Sequence, residues 1–173
     1  PLTSSLKETV PNSPINDYTD ENKFNDISQK NPIKNIWVNN YNTSTALCEN
    51  GEIYGIGENT ANLLCLNNNN NNISRILNPK ILPEFPNKEK VTHLALGFMS
   101  CMFLTEKNNI FSLGSNEFFE CGKRNNQGNI NEYFKTNMPK GLNFLEIASG
   151  ENFFLFIAID ELGKKRLFSI DTN

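Results

Sequence analysis

The hydrophobic positions of this chain fall into short apolar runs that recur at a fixed interval. The copies are residues 53–59 (IYGIGEN), 110–116 (IFSLGSN) and 167–173 (LFSIDTN), each beginning 57 residues after the previous one. Each has an aliphatic, an aromatic, a small and an aliphatic residue, followed by a turn that ends in Asn59, Asn116 or Asn173. Self-similarity at a fixed period of about this size is typical of repeat folds.

A second apolar block precedes each copy and repeats as well. Residues 91–97 (VTHLALG) and 144–150 (FLEIASG) both end in a glycine, Gly97 and Gly150. Residues 33–39 (IKNIWVN) match if the first copy carries one extra residue before its turn. Asn39 then replaces the glycine. We expect it to adopt a positive φ angle, which asparagine tolerates better than other side chains.

Within the copies, pairs of apolar runs joined by turn residues predict β-hairpins. Residues 45–48 and 53–56 are joined by Glu-Asn-Gly-Glu, and Asn-Gly is the strongest hairpin-turn dipeptide. The runs are nearly continuous rather than alternating, which indicates strands covered on both faces. No window shows a helical stripe. We therefore predict an all-β fold of short antiparallel strands, in sheets that stack side by side.

The end of each copy resembles the regulator-of-chromosome-condensation repeat, aliphatic-x-x-Trp-Gly-x-Asn-x-x-Gly-Gln-Leu-Gly. Residues 110–122 (IFSLGSNEFFECG) place matching or similar residues on four pattern positions: Gly114, Asn116, Glu120 and Gly122. Phe119 departs from the expected glycine and Cys121 from leucine.

The first copy, residues 53–65 (IYGIGENTANLLC), fits the same pattern less closely. Gly57, Asn59 and Leu64 match, whereas the two remaining glycine positions are occupied by Asn62 and Cys65. The tryptophan position is aliphatic in all three copies: Ile56, Leu113 and Ile170.

This resemblance covers residues 33–173 and implies a seven-bladed β-propeller with one repeat in each blade. We place the repeats at residues 33–66, 79–125 and 144–173. Two and a half blades cannot close a ring, and an open array leaves a bare sheet edge. We expect this chain to be the first half of a longer one, with the rest of the propeller coming from the same polypeptide or from a partner.

Residues 1–32 differ from the repeats in composition. They contain three lysines, five acidic residues and four of the eight prolines, and they show no hydrophobic periodicity. Such a composition predicts an extended polar N-terminal arm or linker.

The patterns of catalytic and ligand-binding sites are absent from the sequence. His93 is the only histidine and lies in an apolar run, which favours a hydrogen-bonded core residue over a catalytic one. The four cysteines lack the close pairs that a zinc site needs. Gly55-Ile56-Gly57 is only half of a dinucleotide fingerprint. We therefore expect no catalytic residue, no metal and no cofactor, and a protein that is not an enzyme.

The phenylalanines supply the candidate contact residues. We assign Phe154 and Phe156 to the core, because a repeat without its tryptophans needs replacement volume. Phe118 and Phe119 lie where the repeat turns tightly, and these two are the candidates for contact with a partner.

Charge and composition limit the class of partner. The net charge is −3 and only three of the sixteen basic residues are arginine, so direct nucleic-acid binding is not expected. The longest apolar run, residues 153–159, is too short to cross a bilayer. Unpaired cysteines favour an intracellular protein. The cytoplasm is preferred, with the nucleus or an organelle left open.

The leading functional hypothesis is a non-catalytic scaffold, a subunit or domain of a larger intracellular assembly. Its loops on one propeller face would contact other proteins. The resemblance also implies nucleotide exchange on a small GTPase of the Ran type, but no wedge or acidic loop can be assigned to these residues. A regulatory propeller attached to a kinase or a ubiquitin ligase is the third alternative. The sequence leaves open the partner, the face that is used and the oligomeric state.

Overall fold

The computed structural model describes residues 31–66, 73–124 and 127–170, and in these ranges the chain forms β-strands and one short 3₁₀ helix, Pro86–Lys88. The strands are β1 (Ile33–Val38), β2 (Thr43–Cys48), β3 (Ile53–Glu58), β4 (Arg75–Ile81), β5 (Val91–Leu96), β6 (Ser100–Thr105), β7 (Ile110–Gly114), β8 (Ile130–Lys135), β9 (Asn143–Ser149), β10 (Phe154–Ile159) and β11 (Lys165–Ile170). The predicted all-β fold is confirmed.

The strands form three antiparallel sheets in which each strand pairs with its neighbour in the sequence. The first sheet has the order β1-β2-β3-β4 and the second has the order β5-β6-β7-β8. The third contains β9, β10 and β11 within the described residues. Neighbouring sheets approach each other most closely through their first strands, β1, β5 and β9, so these strands line the inner side of the stack.

The three sheets are equivalent down to a single bulged residue. The first strand of each carries one extra residue relative to its partner strand: Lys34 in β1, Thr92 in β5 and Leu145 in β9. All three are the second residue of their sequence block. A bulge inserts one residue and bends the strand locally. Its recurrence at one position shows that the sequence alignment of the blocks is also the structural alignment.

The turns that follow these blocks differ by one residue. The main-chain N–H of Gly97 donates to Ser100 and that of Gly150 to Phe153, whereas Asn39 donates to Thr43, one residue further along. The extra residue of the first copy therefore lies within the turn.

The prediction that Asn39 has a positive φ angle was wrong. Neither Asn39 nor the equivalent Gly97 and Gly150 has a positive φ. Glycine is required there for space, because a Cβ at Gly97 would lie 3.0 Å from the Glu151 carbonyl oxygen. Asn39 instead stabilises its longer turn through its side chain, whose Oδ1 accepts the Thr43 N–H at 2.9 Å.

The second sheet is buried on both faces between the other two. Along β6, Cys101 and Phe103 pack against the first sheet, while the alternate residues Met102 and Leu104 pack against the third. Every residue of β6 and β7 is buried. The nearly continuous apolar runs are explained by this arrangement, because a strand between two sheets has no solvent-facing side.

Within the described residues, the two outer faces of the stack have no partner sheet and are equivalent to the two halves of the interface between neighbouring sheets. Ile36 on the outer face of the first sheet is 69% exposed, whereas the equivalent Leu94 of the second sheet is 1% exposed. Leu167 on the outer face of the third sheet is 68% exposed, whereas the equivalent Ile110 is 1% exposed. Each outer face therefore matches a face that is buried elsewhere in the stack.

The fourth strands extend the first two sheets beyond the repeat limits drawn from the sequence. β4 and β8 read RILNPKI and INEYFK, which mix polar and apolar residues, and only Ile76 and Ile130 in them are buried. They lie at the outer edge of their sheets, where one face needs no apolar cover. The predicted arm at residues 1–32 lies outside the described residues, except for Asn31 and Pro32.

Two equivalent hydrogen-bonded pairs join a residue just before the first strand of a sheet to the turn between its second and third strands. In the first sheet the amide of Asn31 donates to the Glu52 carboxylate at 2.7 Å. In the second sheet the partners are exchanged, and the amide of Asn109 donates to the carboxylate of buried Glu89 at 2.8 and 2.9 Å. The Thr105 hydroxyl also donates to Glu89, at 2.7 Å. Burial acts to raise the pKa of Glu89, but these hydrogen bonds, together with nearby lysines, outweigh it and lower the pKa.

The exposed and buried halves of the interface should respond differently to a charge. We expect Leu94→Asp to lower the free energy of unfolding by more than about 3 kcal/mol, because it buries an unpaired carboxylate. Ile36→Asp at the equivalent exposed position should change it by less than about 0.5 kcal/mol. Urea denaturation followed by circular dichroism measures both. Equal losses in the two variants would contradict the packing described here.

The lowered pKa of Glu89 predicts a pH-dependent contribution to stability. The contribution is fully present above the ordinary glutamate pKa and is lost as the pH falls through the lower pKa of the folded state. The stability difference between the wild type and Glu89→Gln should therefore shrink between pH 7 and pH 3 in urea denaturation. Glu106→Gln, at an exposed position, is the control and should show no such trend.

Candidate interaction face

Six of the seven described repeat-defining residues lie at or beside one end of the sheets, whereas Gly122 lies against Thr136, which follows β8 towards the opposite end. Gly57 pairs with Thr43 and Gly114 pairs with Ser100, which places both glycines beside the turns between first and second strands. The loops that follow β3 and β7 begin at this same end. We call this end the loop face; it comprises residues 39–43, 97–100 and 150–153 and the described parts of the loops at 59–74 and 115–129.

Gly57 and Gly114 permit the close approach of loop and turn. Their φ angles are +108° and +96°, in the region that favours glycine. A Cβ at Gly57 would overlap the carbonyl oxygen of Asn42, and one at Gly114 would overlap that of Met99. The same two carbonyl oxygens accept the main-chain N–H of the next residue, at 3.2 Å from Glu58 and 2.8 Å from Ser115.

Asn59 and Asn116 hold the two loops with the same set of hydrogen bonds. Oδ1 of Asn59 accepts the N–H of Leu64 at 2.9 Å, and Oδ1 of Asn116 accepts that of Cys121 at 3.0 Å. The two Nδ2 groups donate to main-chain carbonyls at 2.9 and 2.8 Å. Both side chains are fully buried. The recurrent asparagines are therefore structural, and Asn173 lies outside the described residues.

The positions where the repeat pattern expects glycine have positive φ angles whatever residue occupies them. Asn62 and Phe119 have φ of 57° and 62°, and Cys65 and Gly122 have φ of 53° and 75°. A non-glycine residue in this conformation costs roughly 1–2 kcal/mol. The backbone of the motif is thus retained although half of its glycines are replaced.

Hydrogen bonds join the turns of neighbouring sheets across the loop face. The Asn39 amide donates to the Gly97 carbonyl at 2.7 Å, and the Phe98 N–H donates to the Glu151 carbonyl at 2.8 Å. The Ser149 hydroxyl adds a bond to the Leu96 carbonyl at 2.6 Å. Side chains on the three turns are therefore held at fixed separations.

Aromatic side chains stand on this bonded framework. Phe118 is 50% exposed and Phe153 is 41% exposed, and both are on the loop face. Phe119 is half-buried. Tyr41 and Phe98 are in ring contact at 4.4 Å between centroids, across the first two turns. The assignment of Phe154 and Phe156 to the core is confirmed, since both are fully buried.

The sequence analysis did not identify Tyr41 and Phe98 as aromatic residues of the loop face. The available signal was their position, because each lies in the turn directly after a repeated block. The variable turn length concealed their equivalence.

Hydrogen bonding and burial define the surroundings of His93, Cys121 and Cys65. His93 is half-buried and its Nδ1 lies 3.2 Å from the Thr92 hydroxyl. Burial and the charge of Glu120 raise the pKa of Cys121 to about 12, and burial with Glu132 raises that of Cys65 to about 11, so these thiols stay protonated. Across residues 31–66, 73–124 and 127–170, no group of three metal-ligating side chains comes together. In the same ranges, no helix has the length and apolar character needed to span a membrane.

Comparisons with known proteins identify the fold. No protein-family model matches the chain, and no curated protein matches it significantly. Among solved structures, yeast Prp20 (RCC1) bound to Kap60 matches with a TM-score of 0.66 and 22% identity, over 82% of this chain and 30% of that one. Prp20p from Saccharomyces cerevisiae, in a structure concerned with its binding to Gsp1p and histones, matches with the same score and identity, over 82% of this chain and 31% of that one. Human WBSCR16 matches with a TM-score of 0.63 and 14% identity, over 79% and 32%.

The three sheets have the fold of the β-propeller blades of RCC1 and WBSCR16. The chain spans about a third of the length of these structures. The resemblance stated from the repeat motif is confirmed for the fold, and the number of seven blades stays a prediction.

The close approach at Gly114 generates a prediction with an internal control. Gly114→Ala should lower the free energy of unfolding by more than about 3 kcal/mol, because the new methyl group overlaps the Met99 carbonyl. Gly128 also has a positive φ, +118°, but a Cβ there meets nothing within 4 Å. Gly128→Ala should therefore cost only about 1 kcal/mol of backbone strain. Urea denaturation of both variants separates steric overlap from strain, and equal costs would contradict this account of Gly114.

Proposed function

We propose that this chain is a non-catalytic protein-interaction segment of a propeller and that its loop face contacts a protein partner. The proposal is carried by the exposed aromatic side chains Phe118 and Phe153 on turns fixed by hydrogen bonds. Aromatic residues are enriched at the centres of protein interfaces, and a rigid frame reduces the entropy lost on binding.

The charges on the loop face favour a protein partner over nucleic acid. Among the described residues of the loop face, exposed Glu117 and Glu151 beside the two phenylalanines balance Arg124, which is exposed, and Lys123, which is half-buried, so the face has no excess of basic residues. A surface that binds phosphates needs an excess of basic residues. We expect basic side chains on the partner opposite Glu117 and Glu151. The four free cysteines support an intracellular location, which remains part of this proposal.

A small GTPase is the second candidate partner. It is favoured by the similarity in fold to Prp20p, a structure concerned with binding to Gsp1p and histones. The match covers about a third of the Prp20p chain. Nucleotide exchange by the whole protein is therefore a separate proposal. A propeller attached to a kinase or ubiquitin ligase stays a prediction from the sequence.

Paired variants test whether the loop face carries binding. Proteins retained by the immobilised chain should be lost with Phe118→Ser/Phe153→Ser, because the double substitution removes both exposed rings. Leu162→Ser, an exposed apolar residue in the β10–β11 turn at the opposite end, should leave retention unchanged. Quantitative mass spectrometry of the bound fraction measures the change. Equal retention by both variants would reject the loop face as the binding surface.

Nucleotide release tests the second candidate independently. A Ran-type GTPase loaded with a fluorescent guanine nucleotide should bind the chain if this candidate holds, and its release rate then reports exchange. No binding and no acceleration at micromolar protein would remove the GTPase and leave the scaffold proposal standing.

A further inference from the structure

The turns after β1, β5 and β9 bring two aromatic rings and one carboxylate together on the loop face. The rings of Tyr41 and Phe98 are in contact, with 4.4 Å between their centroids and 49° between their planes. Glu151 lies in the third turn, where its carbonyl accepts the Phe98 N–H at 2.8 Å and its carboxylate lies 3.5 Å from the Asn40 amide. We call Tyr41, Phe98 and Glu151 the aromatic–acidic cluster.

The side chain of Asn39 holds the first two members of the cluster in place. Its Oδ1 accepts the Tyr41 N–H at 3.0 Å, and its Nδ2 donates to the Gly97 carbonyl at 2.7 Å, directly before Phe98. The other two copies of the repeat have glycine at the position of Asn39. Because the main chains of the three cluster residues are linked in series by hydrogen bonds, little conformational freedom is lost when a ligand binds there.

The cluster has unused capacity to bind a cation. Glu151 is exposed, and within residues 31–66, 73–124 and 127–170 its carboxylate forms no ion pair. Its contact with the Asn40 amide is longer than the usual hydrogen-bond range of about 2.7–3.2 Å, so it can still accept stronger bonds. Tyr41 and Phe98 are half-buried, and none of the basic side chains in these ranges lies over their rings.

We propose that the aromatic–acidic cluster binds the guanidinium group of an arginine side chain on the protein partner of the loop face, an inference that rests on the proposed function. A guanidinium is planar and carries five N–H donors, so its plane can stack on an aromatic ring while its edge donates to a carboxylate. The rings of Tyr41 and Phe98 provide the stacking surface, and the carboxylate of Glu151 accepts the hydrogen bonds. A lysine ammonium is a compact point charge and cannot match both contacts as well.

The carboxylate also distinguishes an arginine from a nucleic-acid base. Bases stack on aromatic side chains, but their binding is accompanied by contacts between phosphates and basic residues. The charged member of this cluster is Glu151, which repels phosphate. The cluster is therefore suited to a cationic side chain of a protein.

The test follows the fluorine NMR signals of the whole chain labelled with fluorinated tyrosine, in which Tyr41→Phe assigns the Tyr41 signal. The probe is N-acetylarginine methylamide, which should shift the Tyr41 signal saturably with a Kd of about 10 mM or lower. The signal of Tyr54, on the outer face of the first sheet, should not move. The neutral citrulline analogue should give no saturable shift, and the lysine analogue should bind at least about threefold more weakly.

Matched variants locate the binding within the cluster. Glu151→Gln should weaken binding of the arginine probe about fivefold, because it removes the charge and keeps the shape of the side chain. Phe98→Leu should weaken it about threefold, because it removes one ring. Glu161→Gln, an exposed glutamate in the β10–β11 turn at the opposite end, should bind the probe as the wild type does.

The arginine subsite and the proposed function fail in different ways. Absence of a saturable shift, an equal response to the citrulline analogue, or unchanged binding by Glu151→Gln would overturn the subsite. The proposed function is judged by the proteins retained on the immobilised chain after Phe118→Ser/Phe153→Ser. Loss of that retention without arginine binding would remove the subsite and leave the loop face as the binding surface.

Discussion

Every sheet in this molecule has two apolar faces, and each face must be covered by another sheet. The alternation along β6, with Cys101 and Phe103 on one side and Met102 and Leu104 on the other, leaves no side for solvent. Burial of apolar surface on this scale is the dominant favourable term in folding. It also accounts for the repeat in the sequence, because equivalent interfaces need equivalent side chains in successive sheets. Ile36 and Leu167 are exposed because they lie on the two faces that no other described sheet covers.

Because the sheets pack face to face, the loops at the ends of their strands can present side chains to a partner. The loops of the loop face bury Leu63, Leu64 and Cys121, while Asn59 and Asn116 satisfy the main-chain groups of these loops from within. Side chains such as Phe118 and Phe153 are therefore not required by the core. This division explains why the repeat-defining Asn59 and Asn116 are buried, whereas the candidate contact residue Phe118 is exposed.

The sequence predicted the strands with clear repetition and failed where repetition was broken or weak. The hairpins β2–β3 and β6–β7 were predicted from paired apolar runs joined by turn residues, and both strands of the β6–β7 hairpin are fully buried. β4 and β8 were not placed, because an edge strand with one exposed face has no apolar continuity. Asn39 was assigned the wrong backbone conformation, because glycine at the equivalent positions provides space rather than a positive φ. The assignment of Phe118 and Phe119 as contact residues stays a prediction, whereas the contact of Tyr41 with Phe98 was not predicted because it depends on a turn of unusual length.

The direction of the stack determines how such a chain can associate. The outer face of the first sheet is equivalent to the faces of the second and third sheets that point towards the first. The outer face of the third sheet is equivalent to the faces of the first and second sheets that point towards the third. The two ends therefore differ and are complementary, so that contacts between copies through these faces are head-to-tail rather than two-fold symmetric. Head-to-tail contacts close only if the rotation between sheets divides a full turn; otherwise they continue as a filament. The apolar faces thus favour head-to-tail covering by an equivalent sheet, and the loop face lies outside these faces and remains accessible when they are covered.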